Sequence, residues 1–184
     1  MARIEPIPMD QADGKARALL DELMQHGGEP GPMVRAMANA PTLLRGYLDL
    51  TRAMKRTHLD RRIVERINLA VHEWLRCDYC LVAHTRAARQ LEVPESEIRL
   101  ARQGTSSDPG TAAIVAFAQQ VLAAPAEIGD ADVDQLRAHG YRDEHIAEVA
   151  GLVALQLLTG AFNLIADIHA MPEELAEITA DAEH

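Results

Sequence analysis

The only two cysteines of the 184-residue chain, Cys77 and Cys80, are three positions apart, and this pair constrains the fold more than any other feature. Helical residues three and four positions apart share a face, so a helix here groups both thiols with His84. Apolar residues continue that face, while Arg86 and Arg89 fall on the opposite one. Such neighbours lie about 5–6 Å apart, within the separation that a disulfide tolerates. The spacing therefore predicts a helix with two inward-facing thiols that can form a disulfide.

The pair suits thiol redox chemistry, in which one thiolate attacks and its neighbour resolves the product as a disulfide. Thiols in such motifs often have a lowered pKa, about 3.5–7.5. Asp78 is a candidate N-cap for a helix that begins at the motif, and this would place Cys80 in the first helical turn.

Composition and periodicity predict an all-α protein. Hydrophobic residues make up 48% of the chain but aromatic residues only 3%, so the core must consist of Leu, Ile, Val, Ala and Met. Helical spacing of apolar residues recurs along the chain, with candidate N-caps at Thr42, Asp60, Asp108 and Asp130. No strand pattern interrupts it. The length fits one domain, which we expect to be a bundle of about eight helices.

The net charge of −10 gives no indication of nucleic-acid binding, which requires clustered lysine and arginine. Residues 149–166 form a long apolar stretch, but Gln156, Thr159 and Asn163 interrupt it. We therefore predict a helix buried in the core or between subunits rather than a membrane span. The first residues contain no apolar run like that of a signal peptide, and a cytoplasmic location is the expectation.

Glu65 lies twelve residues before Cys77. On one straight helix it would be roughly 18 Å from the thiols, too far to act on them. A role at the thiols would require the chain to reverse near residues 76–79, or Glu65 to come from another subunit. The alternative is a solvated surface glutamate beside neighbouring arginines.

The same residues permit a metal site. In a reducing cytosol a C-x2-C pair is more often catalytic or metal-binding than structural. Cys77, Cys80 and His84, completed by Glu65 or His72, would give four zinc ligands. Structural zinc sites usually pair two separated knuckles, however, and the chain has no second one. We therefore expect no metal and no cofactor.

Taken together, Glu65, Cys77, Cys80 and His84 read E-x11-C-x2-C-x3-H. This pattern resembles the signature of the AhpD-like alkylhydroperoxidases, within the carboxymuconolactone decarboxylase superfamily. Residues 65–71 and 163–167 are also similar to that family, and the resemblance covers roughly residues 30–170. It implies an all-helical AhpD-like fold that assembles as a homo-oligomer: a dimer, trimer or hexamer.

On this basis the chain divides into three parts. Residues 1–30 would be an N-terminal extension with one helix, residues 31–170 the AhpD-like domain, and residues 171–184 an acidic C-terminal tail.

The resemblance also implies a role for each motif residue. Cys80 would be the peroxidatic thiolate and Cys77 the resolving thiol, while His84 and Glu65 would form a proton relay. The substrate would be a hydroperoxide, and a dithiol reductant, such as a lipoyl domain or a thioredoxin-like protein, would reduce the disulfide. This chain departs from the founding branch at Tyr79, where that branch has a histidine.

Two other functions remain open. The same disulfide could serve a redox sensor or an oligomeric scaffold that oxidises once without turnover. More remotely, Glu65 and His84 could perform acid–base lactone or decarboxylation chemistry. The decarboxylase branch generally lacks the C-x2-C pair, which disfavours that last function here.

Overall fold

The computed structural model describes residues 2–179, except the side chains of residues 26 and 27, and this part of the chain is all-α. It contains ten α-helices, two short 3₁₀ turns and no strand. The helices are α1 (Gly14–Gly27), α2 (Pro32–Met37), α3 (Pro41–Met54), α4 (Arg61–Leu75), α5 (Asp78–Gln90), α6 (Glu95–Arg102), α7 (Pro109–Ala123), α8 (Asp130–Ala138), α9 (Asp143–Ala166) and α10 (Pro172–Thr179). The predicted fold class is therefore confirmed, with ten helices where about eight were expected.

Of the N-caps predicted from the apolar spacing, Asp60 and Asp108 are confirmed, whereas Asp130 is the first residue of α8, after the cap residue Gly129. The carboxylates of Asp60 and Asp108 each accept a hydrogen bond, 2.7 Å long, from a backbone N–H in the first turn of α4 and α7, respectively. Such bonds satisfy amide groups that a helix start leaves unpaired. Thr42 is not a cap, because α3 already begins at Pro41, whose fixed φ suits the first helical position.

α4 lies at the centre of the molecule and packs against α5, α6, α7 and α9. Because it has neighbours on several sides, its buried surface is wider than one apolar stripe. Leu69 and His72 are completely buried. Trp74, by contrast, is 53% exposed near the end of the helix.

α9 supplies the second half of the core. It contributes Val149, Leu152 and Val153 to one hydrophobic cluster and Phe162 and Ala166 to another. By length and composition α9 could also cross a membrane, but more than half of its most apolar window is buried inside the fold. Core helices of soluble proteins can be equally long and apolar. Since most of this segment is buried, the predicted buried helix is confirmed.

The C-terminal part of the chain consists of the end of α9 and a separate short helix, α10. α9 ends at Ala166 because Asp167 adopts the left-handed conformation with φ 61°, and Pro172 then starts α10. α10 packs on α5 and buries Ile178. The acidic tail predicted for residues 171–184 therefore begins as a docked helix, and residues 180–184 lie outside the described part.

The N-terminal segment packs against the C-terminal end of α9. The buried side chains of Leu20, Met37 and Leu44 form one cluster with Phe162 of α9. The backbone N–H of Arg3 also donates to the last carbonyl of α9 at 2.8 Å. The first three helices thus cover the end of α9 that approaches the cysteines.

Candidate redox site

The chain reverses direction between α4 and α5 at Arg76. This residue has φ 57° and ψ 39°, the left-handed conformation that commonly ends a helix. The N–H of Cys77 donates to the carbonyl of His72 at 3.1 Å, and that of Arg76 donates to the carbonyl of Glu73 at 3.1 Å. This pair of bonds is a Schellman motif. It turns α5 back along α4, so the reversal that Glu65 requires near residues 76–79 is present.

The two cysteines form a buried disulfide at the start of α5. Their Cα atoms lie 5.4 Å apart, and the residues are only 1% and 4% exposed. Cys77 occupies the N-cap position and Asp78 is the first helical residue, so the prediction of Asp78 as the cap is wrong. Cys80 lies in the first turn as predicted, where the helix dipole stabilises a thiolate.

Glu65 and His84 form a hydrogen-bonded pair beside this disulfide. Oε2 of Glu65 lies 2.7 Å from Nδ1 of His84, and both side chains are largely buried. A carboxylate only accepts, so Nδ1 carries the proton and Nε2 keeps a free lone pair. Asn68 donates to the same carboxylate oxygen at 3.4 Å. The interpretation of Glu65 as a solvated surface residue is therefore wrong.

A second histidine, His72, lies behind this pair. Its ring stacks on that of His84 with centroids 5.0 Å apart, and its Nε2 lies 2.9 Å from Oε1 of Gln156. His72 is completely buried, and its Nδ1 has no hydrogen-bond partner. Burial, together with the nearby His84, lowers the pKa of His72 to about 3, so its imidazole is neutral near neutral pH.

Asn163 connects α9 to the sulfur atoms. Its Nδ2 lies 3.2 Å from Sγ of Cys80 and 3.9 Å from Sγ of Cys77, and the residue is completely buried. Gly160, one turn earlier, permits this approach. A Cβ atom there would lie 2.6 Å from Leu75 Cδ1 and 3.2 Å from His72 Nδ1, so a larger residue would force both of these side chains to shift.

A cavity of about 440 Å³ leads to the Glu65–His84 pair. Its walls come from α3, α4, α5, α9 and the segment after α3: Thr51, Met54, Lys55, Thr57, Arg61, Val64, Glu65, Asn68, His84, Leu152, Leu155 and Gln156. The cysteines themselves lie behind this lining. A larger cavity of about 680 Å³ contains none of the predicted site residues, because it lies between His58, Asp108 and His139.

Tyr79, between the two cysteines, faces away from the relay pair. It packs against the N-terminal cluster, where a Cβ atom on Gly31 would lie 3.3 Å from its hydroxyl oxygen. Burial raises the pKa of its phenol. Tyr79 thus serves as a contact to the N-terminal helices.

All four sequence-predicted residues, Glu65, Cys77, Cys80 and His84, lie in this one region. Sequence reasoning missed the central position of four further residues: Asn68, His72, Gln156 and Asn163. Asn163 belongs to the stretch similar to the AhpD-like family, and His72 had been weighed only as a metal ligand. Asn68 also lies in a stretch similar to that family, residues 65–71, and Gln156 was noted only as a polar interruption of the apolar stretch 149–166.

The site can cycle between a dithiol and a disulfide next to an acid–base pair. The sulfurs lie in a nearly dry interior, and an amide N–H contacts them. The carboxylate–imidazole pair lies where a cavity meets the thiol-bearing helix. These are the parts that a thiol-dependent redox reaction needs: a nucleophile, a resolving thiol and a group that moves protons.

Comparison with known families agrees with this geometry. The carboxymuconolactone decarboxylase family model matches residues 41–124, from α3 to the end of α7. The match includes the disulfide and the Glu65–His84 pair, whereas Asn163 lies beyond it. No curated protein matches the sequence.

Solved structures share the fold over nearly the whole chain. An alkylhydroperoxidase AhpD core structure, a peroxidase-related protein from Ralstonia eutropha JMP134, is similar with a TM-score of 0.78 and 24% identity, covering 94% of this chain and 95% of that chain. A peroxidase-related protein from Silicibacter sp. TM1040 is similar with a TM-score of 0.77 and 22% identity, covering 96% of each chain.

A third similar structure is that of a debrominase, Bmp8, in a cysteine-to-alanine variant bound to 2,3,4-tribromopyrrole. Its TM-score is 0.77 at 17% identity, and the match covers 97% of this chain and 96% of that chain. At these identities the three likenesses establish the fold.

Proposed function

Because the carboxymuconolactone decarboxylase family model matches residues 41–124 and the fold is AhpD-like, we propose that this chain is a thiol-dependent alkyl hydroperoxidase of that family. The observation that carries the proposal is the buried Cys77–Cys80 disulfide, with His84 one helical turn after Cys80 on α5 and hydrogen-bonded to Glu65 of α4. The family and fold fit a peroxidase-like role, and the pairing of these four side chains supports the finer assignment.

The first step would be attack of the Cys80 thiolate on the terminal oxygen of a hydroperoxide. His84 takes the thiol proton through Nε2, while Glu65 holds Nδ1 and stabilises the imidazolium. The O–O bond breaks, and the departing alkoxide takes a proton from the imidazolium to leave as an alcohol. Cys80 is oxidised to a sulfenic acid. Asn163, donating towards Cys80, is placed to stabilise the thiolate.

The second step would be attack of Cys77 on the sulfenic sulfur, which forms the disulfide and releases water. An external dithiol, from a lipoyl domain or a thioredoxin-like protein, then restores both thiols by exchange and is itself oxidised to a disulfide. This cycle needs no metal or organic cofactor. It suits the reducing cytoplasm, where we expect the protein to work.

The cavity in front of His84 supports a small organic hydroperoxide as substrate. Its lining combines apolar side chains, such as Met54, Leu152 and Leu155, with the polar groups of Glu65, Asn68 and His84. An alkyl group would contact the apolar wall while the peroxide group faces the acid–base pair. Since the cysteines are almost fully covered, the reaction also requires a local opening next to His84.

Dehalogenation is a second candidate, because a similar fold binds a brominated pyrrole in the debrominase. A dithiol supplies the two electrons that replacement of bromine by hydrogen requires, and it becomes a disulfide as bromide leaves. The two candidates share the cysteine pair and differ in the bond that is broken. A redox sensor would use the same pair for one oxidation only, and acid–base decarboxylation would not use it at all.

The decisive experiment is turnover by the reduced protein with dihydrolipoamide as the electron donor. We expect many equivalents of a small organic hydroperoxide to be consumed per chain, and no turnover by Cys80→Ser. Cys77→Ser should stop after one equivalent and retain a sulfenic acid that dimedone traps. Full activity in both variants would exclude the mechanism.

The same assay with 2,3,4-tribromopyrrole separates the alternatives. Bromide release without hydroperoxide consumption would favour dehalogenation. A single equivalent of peroxide consumed, followed by a stable disulfide, would favour a sensor. Decarboxylation or lactone chemistry would instead survive Cys80→Ser.

A further inference from the structure

His72 is a buried polar group that the proposed peroxidase cycle does not use. It is completely buried on α4, and Nδ1 has no hydrogen-bond partner. Gln156 Oε1 can only accept, so Nε2 carries the ring proton and donates to it. Nδ1 is therefore left with an unused lone pair in the interior, which is unusual because buried polar atoms normally have partners.

The imidazole of His72 lies close to both sulfurs. Along α9, Gln156 holds Nε2, Gly160 lies against Nδ1, and Asn163 contacts both cysteines. One imidazole nitrogen and the two Sγ atoms all lie within 4.8 Å of one another. Because Nε2 is engaged by Gln156, Nδ1 is the nitrogen available to this cluster.

We propose that the reduced protein binds one zinc ion between Nδ1 of His72 and the thiolates of Cys77 and Cys80. Zinc bonds of about 2.3 Å to sulfur and 2.0–2.1 Å to nitrogen place ligand atoms about 3.5–3.8 Å apart. The observed cluster needs only small side-chain movements to reach that spacing, and breaking the S–S bond lets the sulfurs separate.

Electrostatics favour this occupant in a buried site. Two thiolates neutralise the ion, so the complex carries no net charge into the interior, whereas a lone imidazolium or thiolate would. Binding displaces one proton from each thiol. The Nε2–H···Oε1 bond to Gln156 is the kind of outer contact that orients a zinc-binding histidine.

Asn163 supplies the fourth position. Its Oδ1 is buried without a partner, while its Nδ2 faces the sulfurs. A half-turn of the amide group exchanges these two atoms and brings the oxygen to the ion. This ligand set differs from one in which Glu65 and His84 join the two cysteines, because Glu65 and His84 are hydrogen-bonded to each other.

The two cysteines can therefore be either bound to zinc or joined in a disulfide, but not both at once. Zinc occupies both thiolates, so the loaded protein cannot attack a hydroperoxide, and the disulfide cannot bind zinc. Zinc binding can be measured directly and does not depend on which substrate the protein uses.

The test is anaerobic titration of the reduced and oxidised protein with Co²⁺, followed by displacement with Zn²⁺. We expect the reduced form to bind one Co²⁺ with a thiolate-to-cobalt charge-transfer band, and the disulfide form to give none. His72→Asn should weaken binding by about tenfold or more. His139→Asn, which removes an exposed histidine elsewhere, is the matched control and should bind normally.

Two results would overturn the proposal: no charge-transfer band in the reduced wild type, or equal affinity in His72→Asn. If that variant does not fold, X-ray absorption of the zinc-loaded wild type decides the matter. Two sulfur and one imidazole neighbours support the site, while four sulfurs would indicate zinc shared between chains and overturn it. Hydroperoxide turnover is measured separately on the metal-free protein. Loss of zinc binding and loss of peroxidase activity can therefore be told apart.

Discussion

Among single residues, the hydrogen-bonded pair Glu65–His84 has the largest effect on the chemistry proposed for Cys80. An imidazolium next to a thiolate favours the ionised thiol, and the carboxylate in turn favours the imidazolium. His84 is four residues after Cys80, so the same face of α5 presents both. The function of Glu65 therefore depends on a side chain that is nineteen residues away in sequence but 2.7 Å away in space.

We predict that Glu65→Gln and His84→Gln each raise the pKa of the Cys80 thiol by about one unit. The measurement is the pH dependence of alkylation of Cys80 in a reduced Cys77→Ser background. Glu148→Gln is a matched control, because Glu148 also pairs with a histidine at 2.7 Å, far from the thiols. A pH profile unchanged by either substitution would remove the pair from the relay.

Because His72 is buried and neutral, we predict that the free energy of unfolding depends on pH. The pKa of His72 falls from about 6.5 in the unfolded chain to about 3 in the folded one, so the unfolded state binds the extra proton. The stabilisation is complete above pH about 6.5 and is lost progressively as the pH falls towards 3. His72→Gln removes this contribution.

Between pH about 7 and 5.5, we therefore expect the oxidised wild type to lose about 1 kcal/mol more free energy of unfolding than His72→Gln. Urea unfolding at the two pH values measures this difference. Parallel pH dependences in the two proteins would show that His72 is not kept neutral by burial.

At the scale of secondary structure, the ends of three helices decide the geometry of the site. α4 and α9 each end at a left-handed residue other than glycine, Arg76 and Asp167, and the left-handed Glu92 follows the cap residue of α5. A glycine at such a position is the usual sequence signal for a helix end, so these reversals are poorly marked. The caps at Asp60 and Asp108 were predictable, because their side chains act on the adjacent turn.

We predict that Arg76→Gly stabilises the protein by about 0.5–1 kcal/mol, since glycine adopts positive φ without steric cost. Arg76→Val should destabilise it, because a β-branched side chain clashes in this conformation. Thermal and urea unfolding measure both changes.

Lys55→Gly is the control for this pair. Lys55 follows α3 in the ordinary right-handed conformation, with φ −68°, and glycine there should give no stabilisation. Equal effects at positions 55 and 76 would mean that the left-handed conformation of Arg76 costs nothing.

At the scale of the whole molecule, α9 has two functions. Its inner face carries Gln156, Gly160 and Asn163 to the redox site, and its outer face leaves Leu157 and Ile165 exposed, the latter by 62%. Apolar residues two turns apart on one exposed helix face are typical of an interaction surface. The homo-oligomer expected from the sequence remains a proposal, and this surface supports it.

We predict that the protein is oligomeric and that Leu157→Glu or Ile165→Glu lowers its mass in solution, because a buried carboxylate without a partner opposes association. Light scattering coupled to size-exclusion chromatography gives the mass. Trp74→Glu, at an exposed apolar position on α4, should leave it unchanged. A monomeric wild type would contradict the prediction.

The sequence was sufficient to predict the features that depend on neighbouring residues. The positions i, i+3 and i+4 put Cys77, Cys80 and His84 on one helical face, and the caps and apolar spacing gave an all-α chain. These features depend on residues within one or two turns of each other.

The contacts between groups that are distant in sequence depend on how the helices pack against one another. The tertiary structure brought Glu65 to His84 through a reversal that no glycine marks, and it surrounded α4 so fully that His72 became buried and neutral. It also placed Asn163 on the sulfurs, because Gly160 lets α9 approach α4 closely. Contacts between separate helices depend on how whole faces pack, and the spacing of residues within one helix does not contain that information.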